Sequence, residues 1–90
     1  MSDKKVVALK YDRQEDQAPK VIAKGKGHIG EKIIKIAKEN NIPIKEDPFL
    51  VEALSKLEIN QEIPPELYKA VAEILVYIYK KAKTLENNMK

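Results

Sequence analysis

Pro19-Lys20-Val21-Ile22-Ala23-Lys24-Gly25-Lys26-Gly27-His28-Ile29-Gly30 is the stretch on which the architecture turns. Its first six residues interleave β-branched and small side chains with lysine. That is a strand pattern, with Pro19 at the position where no ladder donor is needed. Gly25 to His28 breaks the pattern. From there Ile29, Ile33, Ile36 and Ala37 recur at i, i+4, i+7 and i+8, with Glu31, Lys32, Lys35, Lys38 and Glu39 between them. This is the period of an amphipathic helix. Asn40-Asn41 supplies the residue type that closes a helix in a left-handed conformation. Ile42-Pro43-Ile44-Lys45 then reads as a short strand. Strand, helix and strand in succession predict a right-handed parallel crossover.

Upstream, Lys5-Val6-Val7-Ala8-Leu9-Lys10-Tyr11 also reads as a strand, and the polar loop Asp12–Gln17 is short enough to make the two an antiparallel hairpin. Downstream, Asp47-Pro48 opens a second helix, with an Asp cap and Pro in the first turn. Phe49, Leu50, Val51, Ala53, Leu54 and Leu57 make that helix heavily apolar. Ile59-Asn60-Gln61-Glu62-Ile63 is a connector. Pro64-Pro65-Glu66 opens the last helix, expected to run to about Lys83. The fold class is therefore α/β: a small mixed β-sheet, an antiparallel hairpin plus a parallel βαβ crossover, with about three packed helices. Residues 1–83 read as one domain, and 84–90 as a polar tail expected to fray.

The chain has 90 residues, with 17 Lys+Arg, 14 Asp+Glu, one His and no Cys. That length allows one small domain with a thin core. The absence of Cys excludes a disulfide framework and thiolate metal sites, and a single His excludes a His-pair zinc site. No apolar run is long enough to span a bilayer and no signal-peptide pattern opens the chain, so a cytoplasmic location is expected. Residues 1–45 hold eleven Lys/Arg against six acids, whereas residues 46–90 hold six against eight. A basic half raises the question of nucleic acid. Lys4, Lys5, Lys10, Lys20, Lys24 and Lys26 lie on or near the hairpin, but only Tyr11 is near enough to add stacking. A charged sheet edge that resists aggregation explains the same lysines, and no nucleic-acid partner is expected.

Gly25-Lys26-Gly27-His28-Ile29-Gly30 matches G-x-G-x-x-G in a strand-to-helix setting, with Glu46 and Asp47 near the place of a ribose-binding acid. The alternative function is thus a small nucleotide- or phosphate-binding protein using the Gly25–Gly30 turn. Against it, 90 residues leave no room for two βαβαβ halves. A glycine-containing turn is the plainer reading. His28 has no nucleophile beside it, and Glu46, Asp47 and Glu52 suit a helix start. No catalytic residue, metal or cofactor is expected.

The last helix carries two stripes. Leu67, Val71, Ile74 and Ile78 form one, and Tyr68, Ala72, Leu75 and Tyr79 form a second, while Val76 and Tyr77 widen the apolar surface. The simplest reading buries both stripes. The sharper reading leaves part of the second exposed as a docking surface.

Several segments resemble the cytoplasmic C-terminal domain of the FlhB/YscU family, the export-switch proteins of flagellar and other type III secretion systems. They are Val6-Val7-Ala8-Leu9-Lys10-Tyr11-Asp12, Ala18-Pro19-Lys20-Val21-Ile22-Ala23-Lys24-Gly25, Asn41-Ile42-Pro43, Asp47-Pro48-Phe49-Leu50 and Ala53-Leu54. The most specific piece is the run from Glu58 through Pro64-Pro65-Glu66-Leu67-Tyr68 to Glu73. The resemblance spans residues 5 to about 82. Where the family commonly has Tyr after Ala-Leu, this chain has Ser55, followed by a segment one residue shorter.

In the family an Asn-Pro-Thr-His motif precedes the first strand and cleaves itself when the Asn side chain attacks its own carbonyl. The matching positions here are Met1-Ser2-Asp3-Lys4, with neither Asn nor Pro. The resemblance therefore implies a stand-alone, non-cleaving domain without the membrane part, similar to the fragment left after cleavage. It implies binding of export-gate cytoplasmic domains and flagellar export substrates, and contact with the membrane only through protein partners. An apolar patch in the family matches Ala18, Pro19, Ala72 and Leu75, which become the candidate binding residues. Ala72 and Leu75 also fall on the second stripe.

Overall fold

A computed structural model describes residues 4–88, with side chains through residue 80. β1 (Lys5–Lys10) and β2 (Lys20–Lys26) pair antiparallel, from Lys5 opposite Lys26 to Lys10 opposite Lys20. The register shifts between Ala8 and Leu9, which face Ala23 and Val21, so Ile22 is the extra residue of a β-bulge and points to solvent. α1 (His28–Glu39) follows β2 directly. α2 (Pro48–Leu54) comes next, capped by Asp47, whose Oδ1 accepts the Leu50 N–H at 3.1 Å. A single 3₁₀ turn (Pro65–Leu67) leads into α3 (Tyr68–Asn88), which passes the expected end near Lys83.

The parallel crossover is not formed. Among the described residues the sheet has two strands, and Ile42–Lys45 joins neither. The cause lies in how α1 ends. Asn41 takes a left-handed φ of 57°, as its residue type predicts. The Ile42 N–H then reaches back to Ala37 O (2.8 Å) and the Asn41 N–H to Lys38 O (3.2 Å), a Schellman close. With the Ile42 donor spent on the cap and no donor on Pro43, half the segment cannot feed a ladder.

A different segment takes the free edge of β2. Asn60 N–H donates to Val21 O (2.6 Å), Val21 N–H to Gln61 O (3.0 Å) and Ile63 N–H to Pro19 O (2.9 Å). The presumed connector 59–63 is thus an antiparallel flank of Pro19–Val21, with an isolated bridge between Lys20 and Glu62. Pro19 fits there because only its carbonyl is used. Asn60 turns the chain onto this edge with a φ of 73°, and the Gln61 side chain accepts the Glu58 N–H at 2.8 Å.

The hairpin is covered on both faces. Val7 and Leu9 pack against Leu50, Leu54, Ile63 and Val71, the buried cluster built from α2, the 59–63 flank and α3. Each such aliphatic side chain contributes about 1.5–3 kcal/mol when fully buried. Val6, on the other face, meets α1 at Gly30. α1 is rolled relative to the expected face. Gly30 is buried and Ile33, Ile34 and Ala37 are half-buried, whereas Ile29 and Ile36 are largely in solvent. α2 likewise buries only its i, i+4 pair, Leu50 and Leu54, and leaves Phe49 90% exposed.

Gly30 sets the distance between α1 and the sheet. A Cβ there would lie 3.0 Å from Lys4 O and 3.2 Å from Val6 Cγ2. Lys4 O cannot easily withdraw, because it accepts the Gly27 N–H at 3.2 Å. Gly30→Ala should therefore lower stability by about 1–2 kcal/mol, the overpacking strain exceeding the ~1 kcal/mol gained in helix propensity. Urea unfolding measures this, and a stabilised variant would show that Gly30 does not set the spacing.

Two ion pairs tie β1 and the residue before it to α2 and the turn that leads into it: Lys5 to Glu52 in α2 (2.6 Å) and Lys4 to Glu46 ahead of its cap (2.8 Å). The lysine hydrogen bond in each pair, aided by its charge, holds the glutamate below its ordinary 4.5. A folded-state value below the unfolded one stabilises the fold above pH 4.5, and the contribution disappears as pH falls through the lowered value. The urea midpoint should accordingly drop between pH 5 and pH 3, and Lys5→Met should flatten that drop. An unchanged acid limb in Lys5→Met would remove the Lys5 pair from the account.

Candidate functional site

The flank along β2 brings the start of α3 beside the end of the β1–β2 loop. Between them lies an open groove of about 190 Å³. Ala18, Ile63 and Val71, each at most 3% exposed, and buried Pro19 form its floor. Tyr11, Gln17, Tyr68, Ala72 and Leu75 form its rim. No charged side chain lines it, although 34% of the chain is charged. The groove is therefore an apolar slot with tyrosine hydroxyls and one amide at its lip, suited to an uncharged side chain presented by a partner.

All four sequence-derived residues meet here. Ala18 and Pro19 contribute floor, and Ala72 and Leu75 contribute rim. The two stripes of α3 separate as the sharper reading expected. Val71 is 1% exposed, with Leu67, Ile74 and Ile78 half-buried, while Ala72 is exposed and Tyr68 and Tyr79 are 46% and 64% exposed. Leu75 straddles the two, half-buried against the core. Tyr11, Gln17 and Ile63 were not singled out from sequence. Ile63 had a readable signal, being the last apolar residue before the Pro64-Pro65 helix start.

The other candidates have structural roles. A Cβ on Gly25 would run into Ile29 Cγ2, and Gly30 is held by Lys4 O, so these two glycines serve close helix–sheet packing. Gly27, at φ 62° and ψ −127°, takes a backbone shape suited to glycine alone. The G-x-G-x-x-G match is thus explained without a phosphate. Lysines of the hairpin are largely engaged with the protein itself. Besides the two pairs above, Lys24 Nζ donates to Leu57 O (2.6 Å) and Ser55 O (3.3 Å), and Lys20 lies 3.7 Å from Asp16. Lys24 thereby caps the end of α2, and Ser55, whose hydroxyl donates to Glu52 O, fits there without distortion. His28 is fully exposed, 3.8 Å from Glu31. Among the described residues no three His, Asp or Glu side chains gather as a metal site. No helix among them is long and apolar enough to cross a membrane.

The chain belongs to the FlhB HrpN YscU SpaS Family, whose sequence profile matches residues 4–78. It is similar to the uncharacterized protein YlqH of Bacillus subtilis (strain 168), 50% identical over 84 residues, covering 93% of this chain and 90% of that one. It is also similar to the flagellar biosynthetic protein FlhB of Aquifex aeolicus (strain VF5), 49% identical over 78 residues, covering 86% of this chain. The chain spans about a fifth of the length of the FlhB relatives it matches, 22% in that case. The crystal structure of the cytoplasmic domain of FlhB from Shewanella putrefaciens superposes with a TM-score of 0.87 at 36% identity, covering 92% of this chain and 69% of that one. The PscU C-terminal domain superposes at 0.77 and 30% identity, covering 81% and 94%.

Ala18 and Ala72 differ sharply in what they tolerate. Ala18→Asp would bury an unpaired charge and should cost several kcal/mol, of the order of 3–5. Ala72→Asp faces solvent and should lower stability by no more than about 1 kcal/mol, the scale of the helix propensity lost. Urea unfolding of both variants checks the assignment of floor and rim, and a loss of fold in Ala72→Asp would move the rim into the core.

Proposed function

We propose that this domain is a non-catalytic protein-binding module of the flagellar or type III export apparatus. It binds export substrates or export-gate cytoplasmic domains through the groove between Ala18-Pro19 and Ala72-Leu75. The acting unit is the single domain of residues 1–83, with 84–90 a polar segment beyond it, working in the cytoplasm and near a membrane only through protein partners. The observation that carries this reading is convergence. Residues singled out by resemblance and residues singled out by helix periodicity line one uncharged groove. A short apolar segment docked there meets a preformed floor, so little ordering entropy opposes a transient interaction.

Membership of the export-switch family supports the choice of partner class. The non-catalytic reading follows from residue identity, because Met1-Ser2-Asp3-Lys4 offers no Asn side chain to attack a backbone carbonyl ahead of a Pro. A pull-down with the whole chain against export-gate cytoplasmic domains and rod and hook subunits tests the function. At least one should be retained by the wild type and lost, by about tenfold or more in affinity, with Ala72→Asp, in keeping with a charge placed in an apolar contact. Equal retention by wild type and variant would put the binding surface elsewhere.

A further inference from the structure

The groove's wall is supplied by a loop, and loops of this length are mobile unless something ties them. Between Lys10 and Lys20 the chain forms no ladder, yet it delivers Tyr11, Gln17, Ala18 and Pro19 to the groove. What closes it is a reciprocal clasp between its two ends. Asp16 Oδ2 accepts the Asp12 N–H at 2.9 Å, and Asp12 O accepts the Asp16 N–H at 2.7 Å and the Glu15 N–H at 3.1 Å. Asp12 Oδ1 also accepts the Gln14 N–H at 2.9 Å, tightening the turn inside the clasp. Asp12 directly follows Tyr11, and Asp16 directly precedes Gln17-Ala18-Pro19. Every loop residue that reaches the groove therefore lies just outside this pair, on one side or the other.

The Asp16 side chain is only 7% exposed, an unusual position for a carboxylate. Its second oxygen lies 3.7 Å from Lys20 Nζ. A carboxylate held this far from water is retained where its hydrogen bonds replace hydration. We propose that Asp16 is the positioning residue of the groove: its carboxylate locks the β1–β2 loop so that Tyr11, Ala18 and Pro19 stand as one wall opposite α3. The hydrogen bond from Asp12 holds the Asp16 carboxyl below its ordinary value, against the opposing effect of burial and with the charges of Lys10 and Lys20 acting in the same direction. The role rests on the groove being the binding site. It adds that the groove is kept in shape by a charged group that a partner need not touch.

Asp16→Ala, Asp16→Asn and the wild type separate the two statements. Backbone amide exchange followed by NMR reads the clasp, and affinity for the export subunit retained by the wild type reads the groove. Asp16→Ala should speed exchange at the Asp12 amide about tenfold, the scale of one lost charge-assisted hydrogen bond. α3 amides should stay within about twofold, and subunit affinity should fall about fivefold. Asp16→Asn keeps an acceptor oxygen but loses the charge, and should fall between the wild type and Asp16→Ala in both readouts. Unchanged Asp12 exchange in Asp16→Ala overturns the positioning role, as does faster exchange with undiminished affinity. If the wild type retains no export subunit, the binding function falls and the clasp is decided by exchange alone.

Discussion

Three backbone hydrogen bonds between residues 60–63 and Pro19–Val21 hold this domain in its shape. A two-stranded hairpin alone is marginal in water. The flank gives β2 a partner on its second edge, and it carries the chain from α2 to the start of α3, where Ile63 and Val71 join one buried cluster. Val21, whose N–H and C=O both bond to the flank, is fully buried, and Val71 nearly so. The groove is a by-product of the same contact. Its floor is the seam where Ala18-Pro19, Ile63 and Val71 meet, and its rim is whatever those elements leave facing outwards.

This arrangement explains why so small a domain can afford an open apolar slot. The floor residues belong to the hydrophobic interior and would be buried in any case. Gln17, Ala72, the tyrosines and part of Leu75 are left facing water, and a tyrosine at a rim keeps its hydroxyl hydrated while offering an apolar ring. No charged side chain lines the slot. Four lysines of the basic sequence half, Lys4, Lys5, Lys20 and Lys24, serve as ties within the domain.

Much of the fold was legible in the sequence, for local reasons. Asp47-Pro48 and Pro64-Pro65 mark helix starts because capping and ring geometry act within one turn, and Asn41 marks a helix end for the same reason. The two stripes of α3 followed from a period of 3.6. Non-local competition was not legible. Ile42–Lys45 has strand-forming residues but loses its first donor to the cap of α1, whereas Ile59–Ile63 has a modest strand pattern and wins the edge of β2. The roll of α1 was hidden for a related reason: the close approach at Gly30, rather than the isoleucines, decides which side of the helix meets the sheet. At the site, periodicity reached Ala72 and Leu75, and resemblance alone reached Ala18 and Pro19. Tyr11 and Gln17 join them through a loop whose conformation depends on a carboxylate in the middle of it.

The proposed binding surface is this seam, and not the glycine turn or the sheet edge. Mapping backbone amide shifts of the whole chain while titrating a retained export subunit tests it most directly. The account predicts that the early, saturating shifts fall at Gln17, Ala18, Ile63, Ala72 and Leu75, with Gly27 to Gly30 and the amides of β1 silent. Shifts centred on the start of α1 or along β1, with the seam unmoved, would contradict it.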